Sequence, residues 1–129
     1  MNDLLFRLAS AIATAEGFFV EGVVPQLDNS PGDLRAAPWL KNPALKHGFW
    51  VARSVAEGVG GLYHQLALDI ARGFTLRQLI YAWAPPNDAN RTENYLKETA
   101  RRTGLPYLTP EEAGKEQPLW DYLTIEQIP

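Results

Sequence analysis

The sequence predicts a mainly α-helical protein: one domain, residues 1–129, of about five to seven helices with long ordered loops and at most a short β-hairpin. Apolar residues recur at helical spacing in several segments, and capping residues and glycines bound those segments. Strand-like alternation of apolar and polar residues is scarce. At 129 residues, 46% of them hydrophobic, the chain is long enough to bury one core and too short for two ordinary domains.

The first predicted helix ends at Gly17 and carries one charged residue on its apolar face. That face consists of Leu4, Leu5, Leu8, Ala11, Ile12 and Ala15. Glu16 follows Ile12 by one helical turn and therefore shares the face. Partial burial and the negative end of the helix dipole both favour the protonated carboxyl, which would make Glu16 a general acid. The alternative is that Glu16 reaches solvent and pairs with an arginine.

Residues 18–35 predict an ordered loop, because Gly, Pro, Asn and Asp are frequent there and mark turns rather than regular structure. Loops of this length in compact domains are often functional. The apolar side chains expected to pin the loop to a core are Phe18, Phe19, Val20 and Leu34. After the loop, residues 49–51 are expected to form a short extended piece.

The next predicted helix begins at Ser54, which forms a capping-box spacing with Glu57, and ends at Gly73. Three of its residues are glycines, namely Gly58, Gly60 and Gly61. Each glycine costs a helix about 1 kcal/mol relative to alanine. We therefore expect another backbone or a ligand to approach the helix closely at this point.

Three threonines mark the later helix starts, which are Thr75, Thr92 and Thr109. Pro85-Pro86 should stop the first of these helices, and Gly104 should close the second. Pro110 suits the first position of the third. The tail from residue 115 is expected to pack back on the body through Leu119, Trp120 and Tyr122.

Composition and charge exclude several functional classes. The chain has 12 basic and 15 acidic residues, a formal net charge of -3, which disfavours nucleic acid as a partner. It contains no cysteine, which excludes disulfides and thiolate chemistry. Neither His47 nor His64 stands at metal-ligand spacing, so we expect no metal and no cofactor. Asp3 and Arg7 argue against a signal peptide, and no apolar run approaches bilayer length, so we expect a soluble protein without membrane insertion.

Three pieces of the sequence carry a family resemblance: AIATAEGFFVEGVVPQLDNSPGDLR at residues 11–35, WAPPND at residues 83–88, and the later Tyr95. Together they resemble lysozyme-like peptidoglycan hydrolases and lytic transglycosylases, in particular small bacterial and phage domains. Those domains have a helix ending in Glu-Gly, an Asn-rich NNPG(D/N)(L/I) loop, and a Pro-Pro segment before a Tyr-bearing helix. The resemblance spans about residues 9–104, and it implies that Glu16 is the general acid.

A second carboxylate is the next requirement of glycosidic hydrolysis, and it lies roughly 5 to 9.5 Å from the acid. The candidates are Asp33, Asp28 and Asp88, of which Asp33 is the leading one. Turn capping is the competing role for Asp28 and Asp33. The resemblance also permits lytic transglycosylation, in which the sugar's own hydroxyl attacks and Glu16 alone suffices.

Substrate contacts are predicted for Asn29, Arg35, Tyr81, Asn87 and Tyr95. A phenol hydroxyl or a side-chain amide can hydrogen-bond the catalytic carboxyl or an acetamido group. Arg35 either pairs with a carboxylate of the loop or is solvated. Tyr63 and Trp83 lie on regular helical stripes, which favours core packing for both.

The leading hypothesis is a muramidase or lytic transglycosylase. It would cleave the β-1,4 linkage between N-acetylmuramic acid and N-acetylglucosamine in peptidoglycan. Its partner would be peptidoglycan or a chitooligosaccharide in the periplasm or cell wall, and it would act as a monomer. The first alternative is a non-catalytic lysozyme-like module that binds glycan or serves a phage or secretion assembly. The second is a helix-turn-helix regulator built on residues 72–79, which the acidic balance disfavours.

Overall fold

The predicted mainly α-helical class is confirmed in the computed structural model, which describes residues 3–35, 39–40, 43–85 and 89–123. The α-helices are α1 (Asp3–Ala15), α2 (Val24–Leu27), α3 (Val55–Ala71), α4 (Leu76–Trp83) and α5 (Ala89–Thr103). Strands β1 (Leu45–Lys46) and β2 (Phe49–Trp50) form one short antiparallel hairpin. Two 3-10 helices follow, Pro110–Lys115 and Leu119–Tyr122. Within the described ranges, no helix has the length and apolarity to cross a bilayer.

The chain divides into two compact units, which we call the central unit, residues 12–65, and the terminal unit, residues 1–11 and 66–129. Each has its own buried apolar residues. Those of the central unit are Ile12, Ala13, Leu34, Trp50, Ala52 and Leu62. Those of the terminal unit include Leu4, Leu8, Leu66, Ile70, Leu79, Ile80, Leu96 and Leu119.

The apolar face of α1 is shorter than its sequence predicts. Leu4, Leu8 and Ile12 are buried as expected, but Ala15 is exposed. The predicted loop also differs in two respects. Residues 24–27 form the single turn α2, and Phe19 and Val20 are 71% and 56% exposed instead of pinning the loop to a core. Of the apolar residues expected to anchor this loop, Leu34 is the one that is buried.

The start of α3 confirms Ser54 as its N-cap. The Ser54 hydroxyl accepts a hydrogen bond from the backbone N–H of Glu57 at 3.1 Å. The Glu57 carboxylate does not complete the box at Ser54, because it accepts from the backbone N–H of Arg53 at 3.1 Å and from the Arg53 guanidinium. Ser54 is therefore the N-cap, as predicted, but the side chain of Glu57 binds the backbone N–H of residue 53 instead of that of Ser54.

The glycines of α3 confirm the predicted close approach of another backbone at Gly58, whereas at Gly61 an aromatic side chain comes close instead. A Cβ on Gly58 would lie 1.7 Å from the backbone oxygen of Asn29, and a Cβ on Gly61 would lie 2.4 Å from the ring of Trp50. Gly60 differs, because nothing lies within 4 Å of its would-be Cβ. Packing within the central unit thus requires glycine at positions 58 and 61, whereas position 60 has room for a side chain.

In the terminal unit, the cap of α4 is confirmed and that of α5 is corrected. Thr75 and Gln78 form the full capping box of α4. The helix predicted to start at Thr92 begins at Ala89, and Thr92 is buried inside it, where its hydroxyl donates to the Ala84 carbonyl oxygen at 3.3 Å. The third threonine, Thr109, precedes a 3-10 helix rather than an α-helix.

The tail packs back on the terminal unit, as predicted for Leu119. The Leu119 side chain is fully buried, and its backbone N–H donates to the Phe74 carbonyl oxygen at 2.8 Å. Thr75 and Pro118 form an isolated antiparallel bridge beside that bond. Trp120 lies against Gly73 but remains 41% exposed.

Glu93 is the centre of a polar network in the terminal unit that the sequence analysis missed. Its carboxylate accepts two hydrogen bonds from the Arg77 guanidinium, at 2.7 and 2.9 Å, and one each from the hydroxyls of Tyr81 and Tyr107. Arg77 also donates to the Leu108 carbonyl oxygen at 2.6 Å. The bidentate bond to Arg77, helped by the two tyrosines, lowers the pKa of Glu93 to about 2 against the opposing effect of burial.

We expect alanine substitutions at the three glycines of α3 to have opposite effects on stability. Gly60→Ala should raise the free energy of unfolding by up to about 1 kcal/mol, because alanine is the better helix former. Gly58→Ala and Gly61→Ala should each lower it by about 1–3 kcal/mol through overpacking. Denaturant unfolding measures all three. Equal stability of the Gly58 and Gly60 variants would contradict the packing described here.

We expect the Glu93 network to make the protein acid-sensitive. The pKa of Glu93 is about 2 in the folded protein against an ordinary 4.5, so its contribution is complete above pH 4.5 and is lost as pH falls from 4.5 towards 2. The shift corresponds to about 3 kcal/mol. Unfolding measured against pH should show this loss, and Glu93→Gln should remove it. Glu98→Gln, at an exposed ion pair, is the control and should change the pH profile far less.

Candidate functional site

Glu16 is fixed at the C-terminal end of α1 by a Schellman motif. Gly17 adopts a left-handed conformation with φ of 79°, its N–H donates to the Thr14 carbonyl oxygen at 3.0 Å, and the Phe18 N–H donates to that of Ala13 at 2.9 Å. Glu16 is the last residue before the reversal, and its own N–H donates to the Ile12 carbonyl oxygen at 2.9 Å. The backbone of Glu16 is therefore held by the helix, and its side chain is half-buried.

The loop of residues 28–35, which we call the acidic loop, is tied to β2 and to the residues that follow it. The Asp28 carbonyl oxygen accepts from the Ala52 N–H at 2.9 Å, and the Asn29 amide donates to the Ala52 carbonyl oxygen at 3.3 Å. Leu34 adds a third tie, because its carbonyl oxygen accepts from the Trp50 N–H at 2.7 Å. Two backbone carbonyls and one side chain of the loop thus fix it within the central unit.

Two residues of the acidic loop have left-handed backbones although neither is glycine. Asn29 has φ of 54° and Asp33 has φ of 47°. Asn and Asp tolerate this region better than other side chains, yet each such residue costs of order 1 kcal/mol and persists only where its surroundings impose it. Strained residues of this kind cluster at functional sites. The strain in the loop therefore falls on two residues that the sequence analysis selected as site residues.

Asp28 and Asp33 form a pair of poorly satisfied carboxylates. Asp28 is 3% exposed, and its Oδ2 and the Oδ1 of Asp33 are buried without a hydrogen-bond partner. Burial is the larger cause that raises the pKa of Asp33, and repulsion from Asp28 adds to it, while the charge of Arg35 opposes both. Turn capping by these side chains, the competing expectation, would have left their oxygens hydrogen-bonded. The pair is unusual for a surface loop.

Arg35 influences this pair from a position above an aromatic ring. Its guanidinium carbon lies 4.2 Å from the centroid of the Phe49 ring, a cation–π contact, and the two residues also form an isolated antiparallel bridge. Among the described ion pairs none involves Arg35, and the residue is exposed, which agrees with the solvated alternative rather than with a bond to a loop carboxylate. Its charge nevertheless attracts Asp33.

The predicted site residues divide between the two units. The central unit contains Glu16, Asn29, Asp33 and Arg35, together with Asp28. The terminal unit contains Tyr81 and Tyr95, both half-buried. The Tyr81 hydroxyl is bound to Glu93, which raises the pKa of Tyr81. Asn87 and Asp88 lie outside the described residues.

The central unit also has an aromatic cleft that the sequence analysis did not find. Its volume is about 710 Å³, within the range of ligand sites. Trp39, Trp50 and His64 form its aromatic walls, and Gly60 and Gly61 contribute backbone. These residues come from three segments without a shared periodicity. The one sequence signal was the run of glycines in α3.

We expect Asp28→Asn to lower the pKa of Asp33, because it removes the repulsion between the two carboxylates. The Asp33 carboxyl has a raised pKa in the folded protein, so it costs stability as pH rises through its titration, and this cost should shrink in the variant. Carbon-13 NMR titration of the Asp33 carboxyl measures the pKa. Glu21→Gln, which removes an exposed carboxylate, is the control; an unchanged Asp33 titration in Asp28→Asn would show that the pair is not coupled.

The chain was compared with protein-family models, with curated proteins and with solved structures, and none of the three comparisons gives a match.

Proposed function

We propose that this chain cleaves the β-1,4 linkage between N-acetylmuramic acid and N-acetylglucosamine in peptidoglycan, with Glu16 as the general acid. The observation that carries the proposal is the position of Glu16: half-buried at the residue that directly follows α1, with its backbone fixed by its hydrogen bond to the helix and by the reversal at Gly17. A proton donor must be held in a fixed place relative to the bond it breaks. The C-terminal end of a helix also disfavours the ionised carboxyl.

The acidic loop supports the proposal through the second carboxylate. In hydrolysis, Glu16 protonates the leaving oxygen, and a carboxylate within reach activates water or attacks the sugar. Asp33 is our leading candidate, and binding of substrate would have to leave it ionised, since burial and Asp28 raise its pKa. In transglycosylation, the sugar's own hydroxyl attacks, and Glu16 first gives and then accepts the proton. That route places no demand on Asp33.

The two routes use Asp33 in different protonation states. Hydrolysis needs a deprotonated Asp33 as nucleophile or base, whereas in transglycosylation a protonated Asp33 would serve as a hydrogen-bond donor. Asp33 would then position the acetamido or hydroxyl groups of the sugar. The two routes differ in product, because hydrolysis leaves a reducing end and transglycosylation leaves an anhydro-muramyl end.

A non-catalytic glycan-binding module is the second candidate, and the aromatic cleft favours it. The cleft offers indole and imidazole walls for a ligand, and none of the residues that line it in the described ranges is one of our catalytic candidates. A module of this kind would bind peptidoglycan fragments without cutting them.

We expect Glu16→Gln to lower the release of soluble fragments from purified peptidoglycan by about 100-fold or more, the usual contribution of a general acid. Mass spectrometry of the fragments measures the yield and identifies the new ends. Glu21→Gln, which alters an exposed carboxylate of the neighbouring loop, should cleave like the wild type.

Release of fragments by Glu16→Gln at the wild-type rate would refute Glu16 as the acid. If neither folded protein releases fragments, the binding module becomes the better description of the chain. Asp33→Asn separates the two routes: it should abolish cleavage in the hydrolytic case and leave most of it in transglycosylation.

A further inference from the structure

The aromatic cleft of the central unit has a rigid wall. The indole N–H of Trp39 donates to the side-chain oxygen of Gln65 at 2.9 Å, which fixes the ring plane. The same ring meets His64 edge-on at 4.6 Å and Trp50 at 6.1 Å between centroids. Three rings that hold one another in this way lose little freedom when a ligand arrives.

The floor of the cleft is backbone. Gly61 cannot carry a side chain, because its Cβ would lie 2.4 Å from the Trp50 ring. Gly60 is exposed, and nothing lies within 4 Å of its would-be Cβ. Because these glycines carry no side chains, the backbone of α3 is uncovered beside the indole rings, and a ligand can contact it directly.

The charged residues that line the cleft in the described ranges are one basic and one acidic residue. Arg53 and Glu57 both line it, and they form an ion pair with 2.7 Å between guanidinium and carboxylate atoms. No other Lys, Arg, Asp or Glu among the described residues lines the cleft. Among the lining residues that the structure describes, an anionic ligand would find no unpaired Lys or Arg, which favours a neutral ligand.

A neutral sugar ring matches these features. One face of a pyranose ring is a surface of C–H groups that packs on an aromatic ring, and its edge carries hydroxyl and acetamido groups for polar partners such as His64 and Glu57. Of the two peptidoglycan sugars, N-acetylglucosamine is neutral, whereas N-acetylmuramic acid carries a carboxyl-bearing lactyl group.

We propose that the cleft bounded by Trp39, Trp50, His64 and Gly60 binds an N-acetylglucosamine ring of the glycan strand. The inference rests on the proposed function for the identity of the strand, and it adds a binding site whose described lining does not include Glu16. A backbone hydrogen bond connects the cleft with the acidic loop, since the Trp50 N–H donates to the carbonyl oxygen of Leu34, the residue that follows Asp33. The cleft thus holds substrate on the same framework that fixes the acidic loop.

The test is a titration with tri-N-acetylchitotriose, followed through the indole N–H signals of nitrogen-15-labelled protein and assigned with Trp39→Phe. The Trp39 signal of the wild type should shift saturably. Gly60→Leu should weaken binding at least tenfold, because its side chain fills the floor of the cleft. Ala71→Leu, which adds the same group at the exposed far end of α3, should bind like the wild type. Thermal unfolding checks that each variant is folded.

Glu16→Gln should bind chitotriose like the wild type, which separates this proposal from the catalytic one. Binding at Trp39 without release of peptidoglycan fragments by the wild type would overturn the proposed cleavage and leave the cleft standing. Fragment release without a shift at Trp39, or undiminished binding by folded Gly60→Leu, would overturn the cleft alone.

Discussion

The contact of the acidic loop with α3 is the constraint on which the central unit depends. The backbone oxygen of Asn29 occupies the place where any residue other than glycine at position 58 would carry its Cβ. One turn further along α3, the Trp50 ring occupies the corresponding place at Gly61. The helix gives up two side chains, and the helix propensity that goes with them, so that a loop and an aromatic ring can lie directly on its backbone.

The contact between the acidic loop and α3 also has a chemical consequence. A loop pressed on a helix is shielded from water, and here the shielding falls on Asp28 and Asp33, whose carboxylates lack hydrogen-bond partners at one oxygen each. Buried polar atoms without partners are rare in proteins and are costly. Their presence beside two strained residues indicates a loop shaped for something other than its own stability. The terminal unit shows the opposite case, because the Glu93 carboxylate is satisfied by three different side chains.

The features that the sequence predicted are those set by neighbours along the chain. Gly17 and Gly73 end their helices, and Ser54 and Thr75 cap theirs. Of the glycines of α3, Gly58 was correctly assigned to the close approach of another backbone, and Gly60 was not. The misses came from distant partners. Arg77 and Glu93 stand sixteen positions apart on different helices, and Trp39 meets His64 across twenty-five positions, so neither pairing leaves a periodic trace. The predicted helix start at Thr92 was wrong because threonine, which often caps helices, can also hydrogen-bond a backbone carbonyl from a position inside a helix.

The buried tail residue Leu119 has a consequence for how the chain folds as it is synthesised. All residues of the central unit lie between positions 12 and 65, so that unit has its contacts available early. The terminal unit joins residues of α1 to segments that follow residue 66. Arg7 donates to the Thr103 carbonyl oxygen across 96 positions, and Leu119 arrives later still. Until then the terminal unit lacks part of its buried core. Leu4 and Leu8 of α1 are buried residues of that unit, so α1 needs protection from aggregation while the later segments are being made.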